Sequence, residues 1–320
     1  MNLLVTGGCG FIGSNFIHTV INKAKIHKLV NLDSLTYAGS LDNVEDVSDN
    51  HKYILNKVDI ADYKNVKDVF RKHNISHVVH FAAESHVDNS IAGPFPFIRT
   101  NIVGTFNLLE CARELGVERF HHVSTDEVYG ELGKTGKFKP NTPYDPQNPY
   151  SATKASSDML VRAYGHTYGL PYTISNCSNN YGPRQHKEKF LPVVINSLLR
   201  GDKIPVYGKG NNIRDWIYVK DHCEAVWRTL LKGRLGRTYL VGSNCEKTNL
   251  QIIHEICNIM MVDSKEVISF VEDRKGHDFR YAIDSTRIKR ELGWKPKVSL
   301  RSGLVKTIEF YQKIENHVKA

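Results

Sequence analysis

Thr125, Asp126 and Glu127 stand together where an apolar run, Arg119 to Val123, reads as a buried strand, and Tyr150 and Lys154 follow four residues apart. On a helix, positions i and i+4 share a face, so the lysine would stand beside the phenol. A free phenol has a pKa of about 10 and a useful base sits near 7, so roughly three units, or about 4 kcal/mol, must be supplied. One ammonium about 4 Å away at an effective dielectric near 20 supplies about that much. The tyrosine and lysine suffice to move a hydride. The adjacent carboxylates therefore imply a second chemical step on the same substrate, and oxidation followed by elimination fits best.

Sequence neighbours in an extended strand point to opposite faces. Asp126 and Glu127 can both reach one sugar only if the strand ends near Thr125. A proton-donating Asp126 must also be kept protonated, by burial or by its companion's charge. Plainer readings exist for each group. Tyr150 and Lys154 could be a surface pair on an amphipathic helix, and the carboxylates could answer a helix dipole. Thr125 and a glycine loop at the chain start favour the chemical reading.

Short apolar runs alternate with helical patterns through about residue 175, which implies βαβ units and a parallel sheet. The expected strands are Leu3 to Thr6, Leu29 to Leu32, Tyr53 to Leu55, His77 to Phe81, Arg119 to Val123 and Tyr172 to Ser175. A stretch rich in Gly, Pro and Asn, Gly130 to Pro149, precedes the helix expected to start with Tyr150. Loops of that length are usually functional. The fold expected is α/β, a Rossmann-type doubly wound parallel sheet with a smaller C-terminal substrate-binding lobe. Residues 1–176 would bind a dinucleotide and 177–320 mainly the substrate, with segments exchanged between the lobes. In the second part helices are expected at Phe190 to Leu199, Val219 to Leu231, Asn249 to Met260 and Leu300 to Lys313.

Gly7-Gly8-Cys9-Gly10-Phe11-Ile12-Gly13 follows the first strand and precedes the helical pattern Ser14 to Asn22. Glycines there let the backbone approach a pyrophosphate, and the helix start offers free N–H groups. Asp33, at the end of the second strand, falls where the dinucleotide fingerprint needs a ribose-binding carboxylate. Its charge would repel the extra phosphate of NADP, so NAD is preferred. Asp59-Ile60, after the third strand, would meet the adenine, unless Asp59 merely caps the next helix.

With 320 residues, 41% of them hydrophobic, the chain can bury a substantial core. Met1 leads at once into the first strand and the glycine loop, so no signal peptide is expected, and a cytoplasmic protein with no membrane partner is. Six scattered cysteines show neither a C-x-x-C pair nor zinc spacing, so reduced thiols and no metal are expected. Cys177 lies near the suspected site but reads as a small buried hydrophobe. The net charge of +9 raises nucleic acid as a partner. Lys and Arg are spread along the chain, without a basic module, so small anions such as a dinucleotide and a nucleotide diphosphate would profit equally from that charge.

The sequence resembles the extended short-chain dehydrogenase/reductase superfamily, and within it the dTDP-glucose 4,6-dehydratase family. The segments that carry the resemblance are Leu35-Thr36-Tyr37-Ala38-Gly39, Ala82-Ala83-Glu84-Ser85-His86-Val87-Asp88, Ser124-Thr125-Asp126-Glu127-Val128-Tyr129-Gly130, Cys177-Ser178-Asn179-Asn180-Tyr181-Gly182-Pro183, Arg214-Asp215-Trp216 and Gly276-His277-Asp278. The resemblance implies a tightly held NAD and no net redox change. Thr125 would orient the C4 hydroxyl, Tyr150 would take its proton, Glu127 the C5 proton, and Asp126 would protonate the departing C6 hydroxyl. The substrate would be dTDP-glucose or UDP-glucose.

Matched position by position, Phe11, Ile12, Asp33, Ser34, Leu35, Thr36, Asp59 and Ile60 fall on cofactor contacts of the family, beside glycines Gly7, Gly10 and Gly13. Ala82, Ala83, Thr100, Tyr150, Lys154 and Asn180 do likewise. Ser85, Thr125, Asn179, Lys189 and Pro205 fall on substrate contacts, as do Tyr207, Arg214, Asn249, Asp273 and His277. Arg214 and Lys189 suit a diphosphate, as a guanidinium fork and a point charge. Arg184-Gln185-His186-Lys187, Asn89 and Lys275 depart from the family pattern near the nucleotide end, which leaves thymine or uracil open. The family's usual homodimer joins through two helices per subunit, matching Thr100 to Leu115 and Ser151 to Tyr168 here.

Two rival readings share parts of this set. A nucleotide-sugar 4-epimerase would use the fold, cofactor, tyrosine and lysine but has no work for the carboxylate pair. A non-catalytic NAD-binding regulator would keep the glycine loop and have little use for the rest.

Overall fold

Apolar β-branched runs buried on both faces pair into the central layer of the molecule. The computed structural model describes residues 1–273 and 278–319. Its large sheet takes β1 (Asn2–Thr6), β2 (Lys28–Asp33), β3 (Tyr53–Lys57), β4 (His77–His80), β5 (Arg119–Thr125) and β6 (Tyr172–Cys177). Short β7 (Asn179–Tyr181), β8 (Ile204–Tyr207) and β9 (Ile213–Tyr218) follow, then β10 (Arg237–Val241), β11 (Glu246–Thr248) and β12 (Ile268–Val271). The large sheet is parallel throughout, in the order β10-β6-β5-β4-β1-β2-β3. It is a doubly wound Rossmann-type α/β sheet whose strand order reverses beside β1. Two small sheets, β11-β9-β7 and β12-β8, complete the second part of the chain.

The six expected strands are all present, several of them longer at their ends. The seventh, β10, lies far along the chain and pairs with β6, Thr238 beside Ile174 and Leu240 beside Asn176. The expected helix at Asn249 to Met260 has those bounds, and Leu300–Lys319 runs beyond the expected Lys313. The first helix, Phe11–Val20, starts three residues before the expected Ser14, immediately after the glycine loop.

Packing of the Pro149–Tyr168 helix places the lysine and tyrosine. Asn148 caps it, accepting from Ser151 N at 2.9 Å, while Ser151 Oγ accepts from Asn148 N, a reciprocal box with proline in the first turn. Its far end stops at Gly169 in the left-handed region, φ 70°. Between those ends the helix is pressed on β6, for a methyl group at Gly165 would land on the Tyr172 ring. Beside it runs a chain segment with one π-helical stretch, Ile98–Gly104, whose Asn101 donates to Thr153 Oγ1 and Glu84 O and accepts from Glu84 N. Such stretches often sit at functional sites.

Gly165→Ala should therefore destabilise the protein. Helix propensity would gain about 1 kcal/mol, but a ring held in β6 cannot retreat, and overpacking costs about 1–3 kcal/mol. Urea unfolding should show a lower midpoint with an unchanged slope, and an unchanged or higher midpoint would contradict the close approach of helix and sheet.

Candidate functional site

β5 ends at Thr125, and the chain turns at once into one 3₁₀ turn, Asp126–Tyr129. Thr125 caps that turn, its hydroxyl accepting from Glu127 N at 3.2 Å. The expected strand end at Val123 is thus two residues early. The requirement that the strand stop near Thr125 is met, and Thr125, Asp126 and Glu127 all line one cavity of about 500 Å³. Tyr150 and Lys154 line it too, from the helix across the way.

Lys154 is buried and donates to Val123 O at 2.9 Å, so the ammonium is fixed against the backbone of the strand that carries Thr125. Burial lowers its pKa, while Asp158 and Cys177 oppose that shift. Asp126 is 2% exposed, and burial, then the charges of Glu127 and Asp215, push its carboxyl well above the usual range, against the pull of Arg214. Burial thus favours the protonated carboxylic acid, the form able to donate a proton. Its Oδ2 has no hydrogen-bond partner among the described residues, and it borders the cavity.

Tyr150 departs from the sequence expectation. Burial pushes its phenol well up, Glu127, Cys177 and Asp126 add to this, and the Thr125 hydroxyl, which bonds the phenol, pulls the other way. The gap to a working base is therefore wider than a free phenol implies. Positive charge beside the ring would act against that rise.

The other end of the cavity is a dinucleotide cradle. Gly7, at φ 68°, brings the loop against Ala82, and a methyl at Gly13 would land on the Gly7 carbonyl. Gly10, Phe11 and Ile12 continue the wall into the helix start. Asp33 is buried, its Oδ2 accepting from Cys9 N at 2.9 Å and its Oδ1 from Leu35 N at 2.8 Å. Each oxygen keeps a second lone pair for a ribose hydroxyl. Ser34, Thr36, Ile60, Ala82, Ala83, Thr100 and Asn180 lie in the same wall. Asp59 joins them, paired with Arg99 Nη2 at 2.8 Å, and does not cap the next helix, since Asp62 does that by accepting from Asn65 N. The loop, the acidic residue and the helix start together fit a dinucleotide.

Leu35 is the exception in the cofactor set. It lies outside the cavity wall at φ 55°, its side chain packed on the core beside β1 and its N–H serving Asp33. Of the substrate set, Ser85, Thr125, Asn179 and Lys189 are in the wall, with Lys189 Nζ on Ser85 O at 2.8 Å. Pro205, Tyr207, Arg214, Asn249 and Asp273 are not. They gather on the small sheets beyond it: Pro205 and Tyr207 on β8, Arg214 on β9, Asn249 opening the helix after β11, and Asp273 against Gly208. Arg214 is buried, donates to the carbonyls of Ile213, Phe279 and Asp278, and stacks 4.3 Å from the Tyr281 ring. His277 and Lys275 lie outside the described residues.

Sequence reasoning assigned no role to several residues of the wall. Tyr37, Glu84 and His86 sit inside the motifs that carry the resemblance, Gln185 and His186 in the stretch that departs from the family pattern, and Arg99 carries no signal of its own. His186 meets the Tyr37 ring edge-on at 5.6 Å, closing the wall between two loops. Among the described residues no group of three or more His, Cys, Asp or Glu could hold a metal, and no helix is long and apolar enough to cross a membrane.

Residues 4–307 match the family described as GDP-mannose 4,6 dehydratase. The dTDP-glucose 4,6-dehydratase of Xanthomonas campestris pv. campestris (strain B100) is 49% identical over 96% of this chain and 92% of its own. A dTDP-glucose 4,6-dehydratase from Streptomyces venezuelae, solved with NAD bound, superposes with a TM-score of 0.96 at 42% identity, over 99% of this chain and 98% of that one. A UDP-glucose 4-epimerase from Thermotoga maritima reaches a TM-score of 0.92 at 31% identity, over 98% of this chain and 100% of that one. Fold likeness alone thus does not separate the two reactions; the carboxylates must.

Asp126 also leaves a mark on stability. Its folded-state pKa lies above the ordinary 3.8, so the native state holds a proton that the unfolded chain gives up. The associated stability is complete below the unfolded value and is lost as pH rises towards the folded one. Asp126→Asn removes this dependence, so the variant's melting temperature relative to the parent should climb between pH 5 and pH 8. A flat difference across that range would show that the carboxyl is not held protonated.

Proposed function

The chain belongs to the dTDP-glucose 4,6-dehydratase family, and on that footing we propose that it removes water from dTDP-glucose to give the nucleotide-linked 4-keto-6-deoxy sugar, by the residues and in the order that follow. NAD, held along the cradle of Gly7, Gly10, Gly13 and Asp33, would supply a hydride acceptor for C4 of the sugar and a hydride donor for C6. Residues 1–176 hold the dinucleotide and 177–320 mainly the nucleotide sugar, with β10 the segment handed back to the large sheet.

Thr125 orients the C4 hydroxyl and Tyr150 takes its proton. Lys154 supplies positive charge on the phenol's side of the cavity, and a bound nicotinamide would add to it. The 4-ketone acidifies C5. Glu127 then accepts the C5 proton, and Asp126, the protonated member of the pair, gives its proton to the departing C6 hydroxyl, which leaves as water. Once C6 is reduced, Glu127 returns a proton, exchanged with solvent, to C5, and the proton that Tyr150 took from the C4 hydroxyl restores Asp126. Lys189 faces the diphosphate as a point charge, and Arg214, with N–H groups left over after its three carbonyl partners, stands further along the nucleotide. Ser85 and Asn179 border the sugar, and Pro205, Tyr207, Asn249 and Asp273 the nucleoside.

One observation carries this reading over an epimerase. A buried acid and a second carboxylate stand in one cavity with the phenol, and the epimerase reaction gives neither carboxylate anything to do. The thymine nucleotide is preferred because the relatives at 47–49% identity are named for it. Six free thiols support a reducing, cytoplasmic setting.

The protein as purified, given dTDP-glucose in deuterated water without reductant, should yield a 4-keto-6-deoxy product labelled at C5, and faster than UDP-glucose does. Recovery of the galactose isomer alone would replace dehydration by epimerisation. Exposed apolar side chains on two adjacent helical segments, Phe95 at 70% and Met159 at 56% with Ile98, Val103 and Phe106, support a homodimer through that face. Sedimentation should give twice the 36.4 kDa chain mass, reduced by Phe106→Glu; a native monomer would refute the pairing.

A further inference from the structure

Asp158 follows Lys154 by four residues as Lys154 follows Tyr150, so the three share one face of the helix. It is fully buried. An ionised carboxylate in such a place is costly unless charge and hydrogen bonds compensate it. Tyr144 OH donates to its Oδ2 at 2.7 Å and Asn176 Nδ2 at 3.1 Å. The same Asn176 amide donates to Thr125 O at 3.0 Å. One amide thus clasps the acid on the helix and the end of the strand that carries the catalytic threonine.

We propose that Asp158 is a positioning residue for the reaction: its carboxylate is the buried counter-charge of the Lys154 ammonium and, through Asn176, locks the helix bearing Tyr150 and Lys154 to the strand end bearing Thr125. This rests on the roles given above to Tyr150 and Lys154. The groups around the pair support it. From β5, His122 Nε2 lies 3.1 Å from Asp158 Oδ1, but burial and the Lys154 charge hold His122 down to about 4, so it is neutral near pH 7 and cannot balance the carboxylate. His80, on β4, is likewise lowered by burial. From β6, Cys177 is pushed up to about 12 and stays a thiol. Arg162, half-buried on the same helix, also feels the Asp158 charge but meets the carboxylate through Tyr144 OH, at 3.1 Å, so the fully buried cation facing Asp158 is Lys154. Asp158 is the first of the groups that oppose the loss of a proton from Lys154.

The test reads the lysine directly, without substrate. In protein carrying ¹³C-labelled lysine, the Lys154 Cε resonance, assigned from Lys154→Arg, is followed with pH. Asp158→Asn should move its transition down by about one pH unit or more, and Asp158→Glu should restore it. The alkaline limb of kcat should move with it, which a loosened helix would not cause. An unmoved Lys154 transition in Asp158→Asn overturns the proposal. If Asp158→Asn does not fold, Tyr144→Phe keeps the charge and removes a neutral donor: a transition at or above the parent's supports the proposal, and a lower one overturns it. The titration can succeed while the dTDP-glucose assay fails, or fail while it succeeds.

Discussion

A strand buried in a parallel sheet shows alternate side chains to opposite faces, so it can offer a cavity every second residue and no more. The site escapes that limit because β5 stops at Thr125 and the backbone tightens into a 3₁₀ turn. Three consecutive side chains, one hydroxyl and two acids, then open on the same space. Everything else in the site is arranged around that end: the helix from Pro149 brings phenol and ammonium to it, the ammonium is tied to Val123 O one peptide short of Ser124, and the glycine loop closes the opposite wall.

Electrostatics follow from the same geometry. Taking the strand end out of water raises Asp126 and Tyr150 together, but with opposite meaning for their work. For the acid, in the role proposed for it, burial is an advantage, since it favours the protonated form. For the phenol it is an obstacle that positive charge must overcome. One desolvated pocket therefore favours proton donation to a leaving group outright and permits proton removal only when its cationic components are assembled.

Much of this could be read along the chain because the signals are local. Strand, glycine loop, helix and Asp33 follow one another within a single βαβ unit, and Tyr150 and Lys154 declare a shared helix face by spacing alone. The turn after Thr125 was a condition that the sequence could state but not check. What escaped depends on contacts distant in sequence. Asp158 looks like any helix acid until Asn176 and Tyr144 are brought to it, and Arg99 shows its place only when it meets Asp59. Arg214 reads as a free phosphate-binding fork, yet part of it is held by carbonyls 64 and 65 residues on. Leu35 misled for a simpler reason: a positive φ turns its side chain to the core and leaves its N–H to Asp33.

The order of the large sheet has a bearing on how the chain can be assembled. All six residues of β6 are buried, and the strand that satisfies its outer edge is β10, which is made some sixty residues later. Until then the amino-terminal half presents an apolar edge with unpaired N–H and C=O groups, the kind of template on which nascent chains adhere to one another. The second half of the chain thus supplies, in its returning strand, the partner that covers this edge.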